Sequence, residues 1–214
     1  MKNLLRSLVA VLAAAVLLPA LTLPARADTG ESDAQIAAEW QTAWDTYHFA
    51  TTTPPPAPGS GRSRVTSSIS VEIASPIRHV FAAYSDINHH IGRAAFLTRV
   101  VTHAQWTDRN VRYINFTALE DVPYEGTVVN LKTHAQQRIN DKGYFYETDT
   151  WSEPNVVTHQ KIVFECLAGG KTRVTERLTF EADTSLIDFV VSNGVASHQQ
   201  TQGALKQAIE SGQL

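Results

Sequence analysis

The chain has 214 residues, of which 43% are apolar and 18% charged, and its formal net charge is −3. This composition fits one globular domain, with or without a tail, and excludes both a disordered chain and a strongly basic nucleic-acid binder. A single cysteine excludes an intrachain disulfide framework.

Residues 1–27 read as an export signal. Lys2 and Arg6 form a basic start, Leu8 to Leu18 form an apolar run, and Pro19 and Pro24 precede the small-residue pattern Ala25-Arg26-Ala27. Cleavage after Ala27 predicts a secreted or periplasmic protein with no stable membrane insertion. Loss of Lys2, Arg6 and Arg26 leaves 15 basic against 21 acidic residues on 187, a net charge of −6. That balance favours neither nucleic acid nor an anionic membrane as partner.

Residues 28–64 form a leader. Ile36, Trp40, Trp44 and Tyr47 recur at helical spacing, so residues 33–49 are expected to form a short helix with an aromatic stripe. The stripe either docks on the rest of the chain, plugs a pocket mouth or contacts a protein partner. The stretch from Thr51 to Gly61 then passes from proline-rich to glycine- and serine-rich and reads as a linker.

The domain proper is expected over 65–214. Ile69, Val71 and Ile73 alternate on one face of a strand. Ser75 and Pro76 suit the N-cap and first turn of a helix with Ile77, Val80, Phe81 and Tyr84 on its apolar side. His89 to Ala95 is short and irregular. Six strands follow, over 96–106, 111–119, 127–136, 144–151, 156–167 and 172–182. The turn signals between them are tight, which predicts an antiparallel meander of hairpins. A terminal helix begins after Thr184-Ser185 and carries Leu186, Phe189, Val190, Ala196, Leu205, Ala208 and Ile209. Gly194 and Gly203 inside it each cost roughly 1 kcal/mol relative to alanine, so close packing is expected to compensate.

This order resembles the START-like (SRPBCC) superfamily, the polyketide cyclase/dehydrase and lipid-transport group. The carriers are Val71-Glu72-Ile73-Ala74-Ser75-Pro76-Ile77-Arg78-His79-Val80-Phe81, then Asp86, then Thr172-Arg173-Val174-Thr175-Glu176 and Gly203-Ala204-Leu205-Lys206-Gln207-Ala208-Ile209-Glu210. The resemblance covers about 65–212. It implies an α+β helix-grip fold: a curved antiparallel sheet of about seven strands around a long C-terminal helix, with short helices between the first two strands. It also implies an elongated cavity for an apolar ligand. A lipocalin is disfavoured, because no Gly-x-Trp opens the first strand and a helix directly follows it.

A cavity between sheet and helix makes polar residues on apolar strand faces the candidates for chemistry. Glu176 shares its face with Val174, Leu178, Phe180 and Ala182. It reads as a ligand acceptor or general base, or else as a carboxylate paired with an arginine or with water. Tyr113 and Asn115, Tyr144 and Tyr146, and Gln160 are further ligand-binding candidates. The eight histidines lack metal-site spacing and read as surface or capping residues. No metal or cofactor is expected. Cys166, in line with Ile162 and Phe164, is expected to be buried as a small apolar residue.

Three functions follow. The favoured one is a secreted protein that binds a small hydrophobic molecule, such as a lipid or a polyketide-like compound. The alternatives are a cyclase or dehydratase using Glu176 and a pocket tyrosine for proton transfer, and a protein-interaction module acting through residues 33–49.

Overall fold

The computed structural model describes residues 31–49, 54–124 and 127–214. The signal-like segment 1–27 with its cleavage site lies outside the described residues, as do Thr51 to Thr53 of the linker.

Helix α1 (Asp33–Tyr47) opens with a capping box: Ser32 Oγ accepts from the Gln35 N–H, and the Gln35 side chain answers at the Ser32 N–H. Strand β1 (Arg62–Ile73) starts three residues ahead of the expected domain boundary. Arg62 and Arg64 hold it to Glu181 and Asp183 of the last strand. Helix α2 (Ile77–Ser85) has Pro76, not Ser75, at its N-cap, and the Ser75 hydroxyl bonds His79 Nδ1 instead at 2.9 Å. A 3-10 turn (Ile87–His90) follows, capped by the Asp86 carboxylate.

The meander is β2 (Leu97–Asp108), β3 (Val111–Tyr124), β4 (Thr127–Asn140), β5 (Phe145–Ser152), β6 (Val156–Leu167) and β7 (Lys171–Asp183). All neighbours are antiparallel, in the order β1-β7-β6-β5-β4-β3-β2. β3 and β4 run longer than expected. The ladder continues through Glu120 opposite Leu131 to Tyr124 opposite Thr127, although Glu120-Asp121-Val122-Pro123 has the composition of a turn.

Helix α3 (Ile187–Glu210) lies across the concave face. Its N-terminal half packs Ile187, Val190, Val191 and Val195 on Ile69, Leu178, Phe180 and Ala182. Its C-terminal half packs Leu205 and Ile209 into the main core with Ile73, Val80 and Val174. No side chain caps its start, and Thr184 bonds back to Gly61 and Ser63. Of the two helix glycines, only Gly194 is forced by packing: a Cβ there would lie 2.5 Å from the Phe180 ring, while Gly203 faces open space. The architecture is the α+β helix-grip fold. Among the described residues no helix is long and apolar enough to cross a membrane.

The convex face is also covered. Ile36 of α1 packs with Val101 and Leu119, and the Trp40 indole N–H donates to the Ala135 carbonyl at 2.9 Å. Tyr47 stacks on Trp151 with ring centroids 4.4 Å apart. The aromatic stripe therefore docks on its own sheet. Cys166 departs from expectation and is exposed: it sits two residues before the β6–β7 turn, where the inward row runs past its packing partners.

Candidate functional site

The curved sheet and the middle of α3 enclose a cavity of about 150 Å³. Leu97, Phe116, Ala118 and Ala135 from the sheet, with Ile87, Ala94 and Ala95 from the segment after α2, form its apolar part. Polar residues are interleaved with these: Thr133, Gln137, Thr148, Thr150 and Gln160 from β4 to β6, and Ser197, His198 and Thr201 from α3, with Thr133 paired to Ala118 in the ladder. A mostly apolar surface is the ordinary pattern for this kind of site, and this cavity keeps it, although more than half of its lining residues carry polar groups.

Glu176 is the centre of these polar groups. Strand parity places it in the inward row of β7, between Val174 and Leu178, and it is 4% exposed. One carboxylate oxygen accepts from Gln202 Nε2 at 2.9 Å, and the other meets His198 Nδ1 at 2.7 Å. With Nδ1–H as the donor, His198 keeps Nε2 as an acceptor on its far side. His198 is partly exposed, whereas Glu176 is sealed.

A second carboxyl lines the same cavity. Glu120 accepts from the Thr133 hydroxyl at 3.2 Å, and burial raises its pKa above the ordinary carboxylate value, against smaller opposing effects of that bond and of His198. Burial likewise raises the hydroxyl pKa of Tyr146, reinforced by the charge of Glu176. His90 also lines the cavity. Its Nε2–H donates to the Tyr84 carbonyl at 2.9 Å, and burial lowers its pKa. Gln137 is 3% exposed, and its side-chain oxygen has no hydrogen-bond partner among the described residues.

Of the six candidate residues, the structure brings Glu176, Tyr146 and Gln160 together on the cavity wall. It does not bring the other three there. Tyr113 and Asn115 lie on the face of β3 opposite Ile114 and Phe116. Tyr113 stacks on Trp106 at 4.9 Å, and Asn115 accepts from Gln136 at 2.9 Å. Tyr144 precedes β5 in the left-handed region, at φ 47°, and sets its ring edge-to-face against Phe81.

The surface-or-capping reading of the histidines needs correction. His89 and His90 do bond the carbonyls at the end of α2. His198 is a cavity residue, and His134 is buried on the convex face, where Thr117 bridges it to His103. The sequence carries a signal for His198: Val191, Val195, His198, Gln202 and Leu205 fall at i, i+4, i+7, i+11 and i+14, so two polar residues occupy a helical stripe meant for apolar ones. Glu120 carries a similar one, since it continues the alternation Ile114, Phe116, Ala118.

No family model matches the chain, and no curated protein matches it in sequence. Solved structures match its fold. A protein of Thermus thermophilus is similar over 69% of this chain and 99% of its own, at 14% identity and a TM-score of 0.54. The Zhui aromatase/cyclase from Streptomyces sp. R1128 is similar over 68% of this chain and 96% of its own, at 12% identity and TM-score 0.52. A START superfamily protein from Mycobacterium smegmatis is similar over 68% and 97%, at 13% identity and TM-score 0.52. The fold is therefore the START-like helix-grip fold, shared with an aromatase/cyclase and a START superfamily protein.

Proposed function

We propose that this is an exported protein that holds one small organic molecule in the cavity between the sheet and α3. The observation that carries the reading is the set of buried polar groups around Glu176 in a cavity whose lining includes the partly exposed His198. Buried polar groups without full partners are costly, and a bound molecule would supply the missing ones. Volume limits the occupant. A cavity of about 150 Å³ matches the engineered apolar cavity that takes up benzene, so one ring or a short chain fits and a multi-ring polyketide or whole lipid does not without opening. The exported location rests on the signal-like segment 1–27. Native mass spectrometry of protein taken from its own host, followed by denaturing extraction, tests the reading. A co-purifying molecule of one-ring size is expected; a chain that is empty and takes up no small aromatic probe would overturn it.

A second reading, acid–base catalysis on the bound molecule, is favoured by one arrangement. His198 is oriented by Glu176, while the Glu120 carboxyl, on the same cavity, is biased toward keeping its proton. A base and an acid on one cavity suit a dehydration or an enolisation. Product formation from the extracted molecule, lost in His198→Ala, would favour this reading over passive binding.

A further inference from the structure

The charge and hydrogen-bonding character of the cavity restrict the class of molecule it takes, on the reading that it is a ligand site. Two carboxyl groups, Glu120 and Glu176, line it; among the described residues no lysine or arginine does. His198 in its Nδ1–H form presents Nε2, a further acceptor. Tyr146 and Gln160 add groups of either kind. An anion placed here would meet the Glu176 carboxylate in a low-dielectric space that no lysine or arginine among the described residues offsets, the one neighbouring cation being His198 in its protonated form, already paired to Glu176. A molecule that brings N–H or O–H groups meets the opposite situation.

We propose that the cavity selects a one-ring molecule bearing hydrogen-bond donors and no negative charge, an alcohol, a phenol or a protonated amine, and rejects carboxylates such as free fatty acids. The donor head lies toward Glu176 and His198.

The test uses three probes that share a ring and differ in the head: 2-phenylethylamine, 2-phenylethanol and phenylacetate, titrated into the purified protein by calorimetry at pH 7. The amine and the alcohol are expected to bind at least about tenfold more tightly than phenylacetate, the scale of one hydrogen bond to a charged partner. Glu176→Gln is expected to remove most of the amine's advantage over the alcohol; if that variant does not fold, the wild-type comparison decides by itself. Phenylacetate binding as tightly as the amine would overturn the selectivity while leaving the cavity a ligand site. Failure of all three probes, and of toluene as a headless control, would overturn the ligand reading itself.

Discussion

The two faces of the sheet bury the same kinds of residue and treat them differently. On the convex face, under α1, polar side chains are joined in short chains. Thr117 links His103 to His134, Gln136 donates to Asn115, and Asp149 receives both Arg138 and His159. Lys132 lies between Glu31 and Glu39, and Arg99 pairs with Asp33. On the concave face, among the described residues, the Gln137 oxygen has no partner, Glu120 bonds the Thr133 hydroxyl, and His198 bonds Glu176 through Nδ1. Burial of polar groups is thus no marker of a site by itself. What separates the faces is arrangement: beneath the leader helix the buried polar groups are tied to one another, with His159 Nε2 left unpartnered among the described residues, whereas on the concave face they gather around one cavity.

The largest expected effect tests the convex side. Trp40 is 5% exposed and packs with Phe49 and Trp151. Trp40→Ala should cost about 3–5 kcal/mol in urea denaturation, the usual range for a buried tryptophan. A loss below about 1 kcal/mol would mean that α1 is not part of the cooperative fold.

The next effect is pH dependence from His134. Burial holds its pKa at about 4, below the ordinary 6.5, with Glu39 opposing and His103 and Lys132 adding to the depression. A histidine with a depressed folded pKa contributes stability that is present above the unfolded pKa and lost as pH falls through the folded one. Stability should therefore be flat above about pH 6.5 and decline toward pH 4, by roughly 3 kcal/mol in all at about 1.36 kcal/mol per pH unit. Urea midpoints measured at both ends check this, and His134→Gln should flatten the slope. A slope that survives the substitution would place its origin elsewhere.

The smallest effect tests the concave side. Glu120 has the opposite sign, a carboxyl whose folded pKa is raised. Its contribution is fully present at low pH and lost as pH rises through the folded value. Glu120→Gln keeps an acceptor for Thr133 and cannot ionise. Its stability should match the wild type, within about 0.5 kcal/mol, at pH 4 and exceed it increasingly toward pH 8. Equal stability at every pH would show that water reaches Glu120 freely.

Much of the fold was legible from the sequence, because each element carries its own local signal: alternation in β1 and β7, turn residues between the hairpins, a 3.6-residue stripe in α1. Glu176 was legible for the same reason, since β7 is regular along its length and alternation reads straight onto it. Tyr113 and Asn115 misled because alternation gives two sets of residues without saying which set faces in. In β3 both sets are buried, Ile114 and Phe116 by the core and Asn115 and Thr117 by the face that α1 covers. The usual contrast between a wet and a dry side is missing there. Cys166 misled for an end effect, as alternation persists where packing has stopped. His198 was overlooked because a polar residue on a helix reads as solvent-facing unless its place in the stripe is counted.

The pairing of β1 with β7 has a consequence for how the chain comes together. Each hairpin from β2 to β7 closes over a short turn, but the contact between Arg62 and Asp183 spans 121 residues. Loop-closure entropy must be met before so distant a ladder returns any contact energy, and such topologies reach the native state slowly. Until β1 arrives, β7 is an edge strand with the inward row of Val174, Leu178 and Phe180, the kind of edge that pairs with other chains. The first strand of the sheet in chain order is therefore also the guard against aggregation for the last.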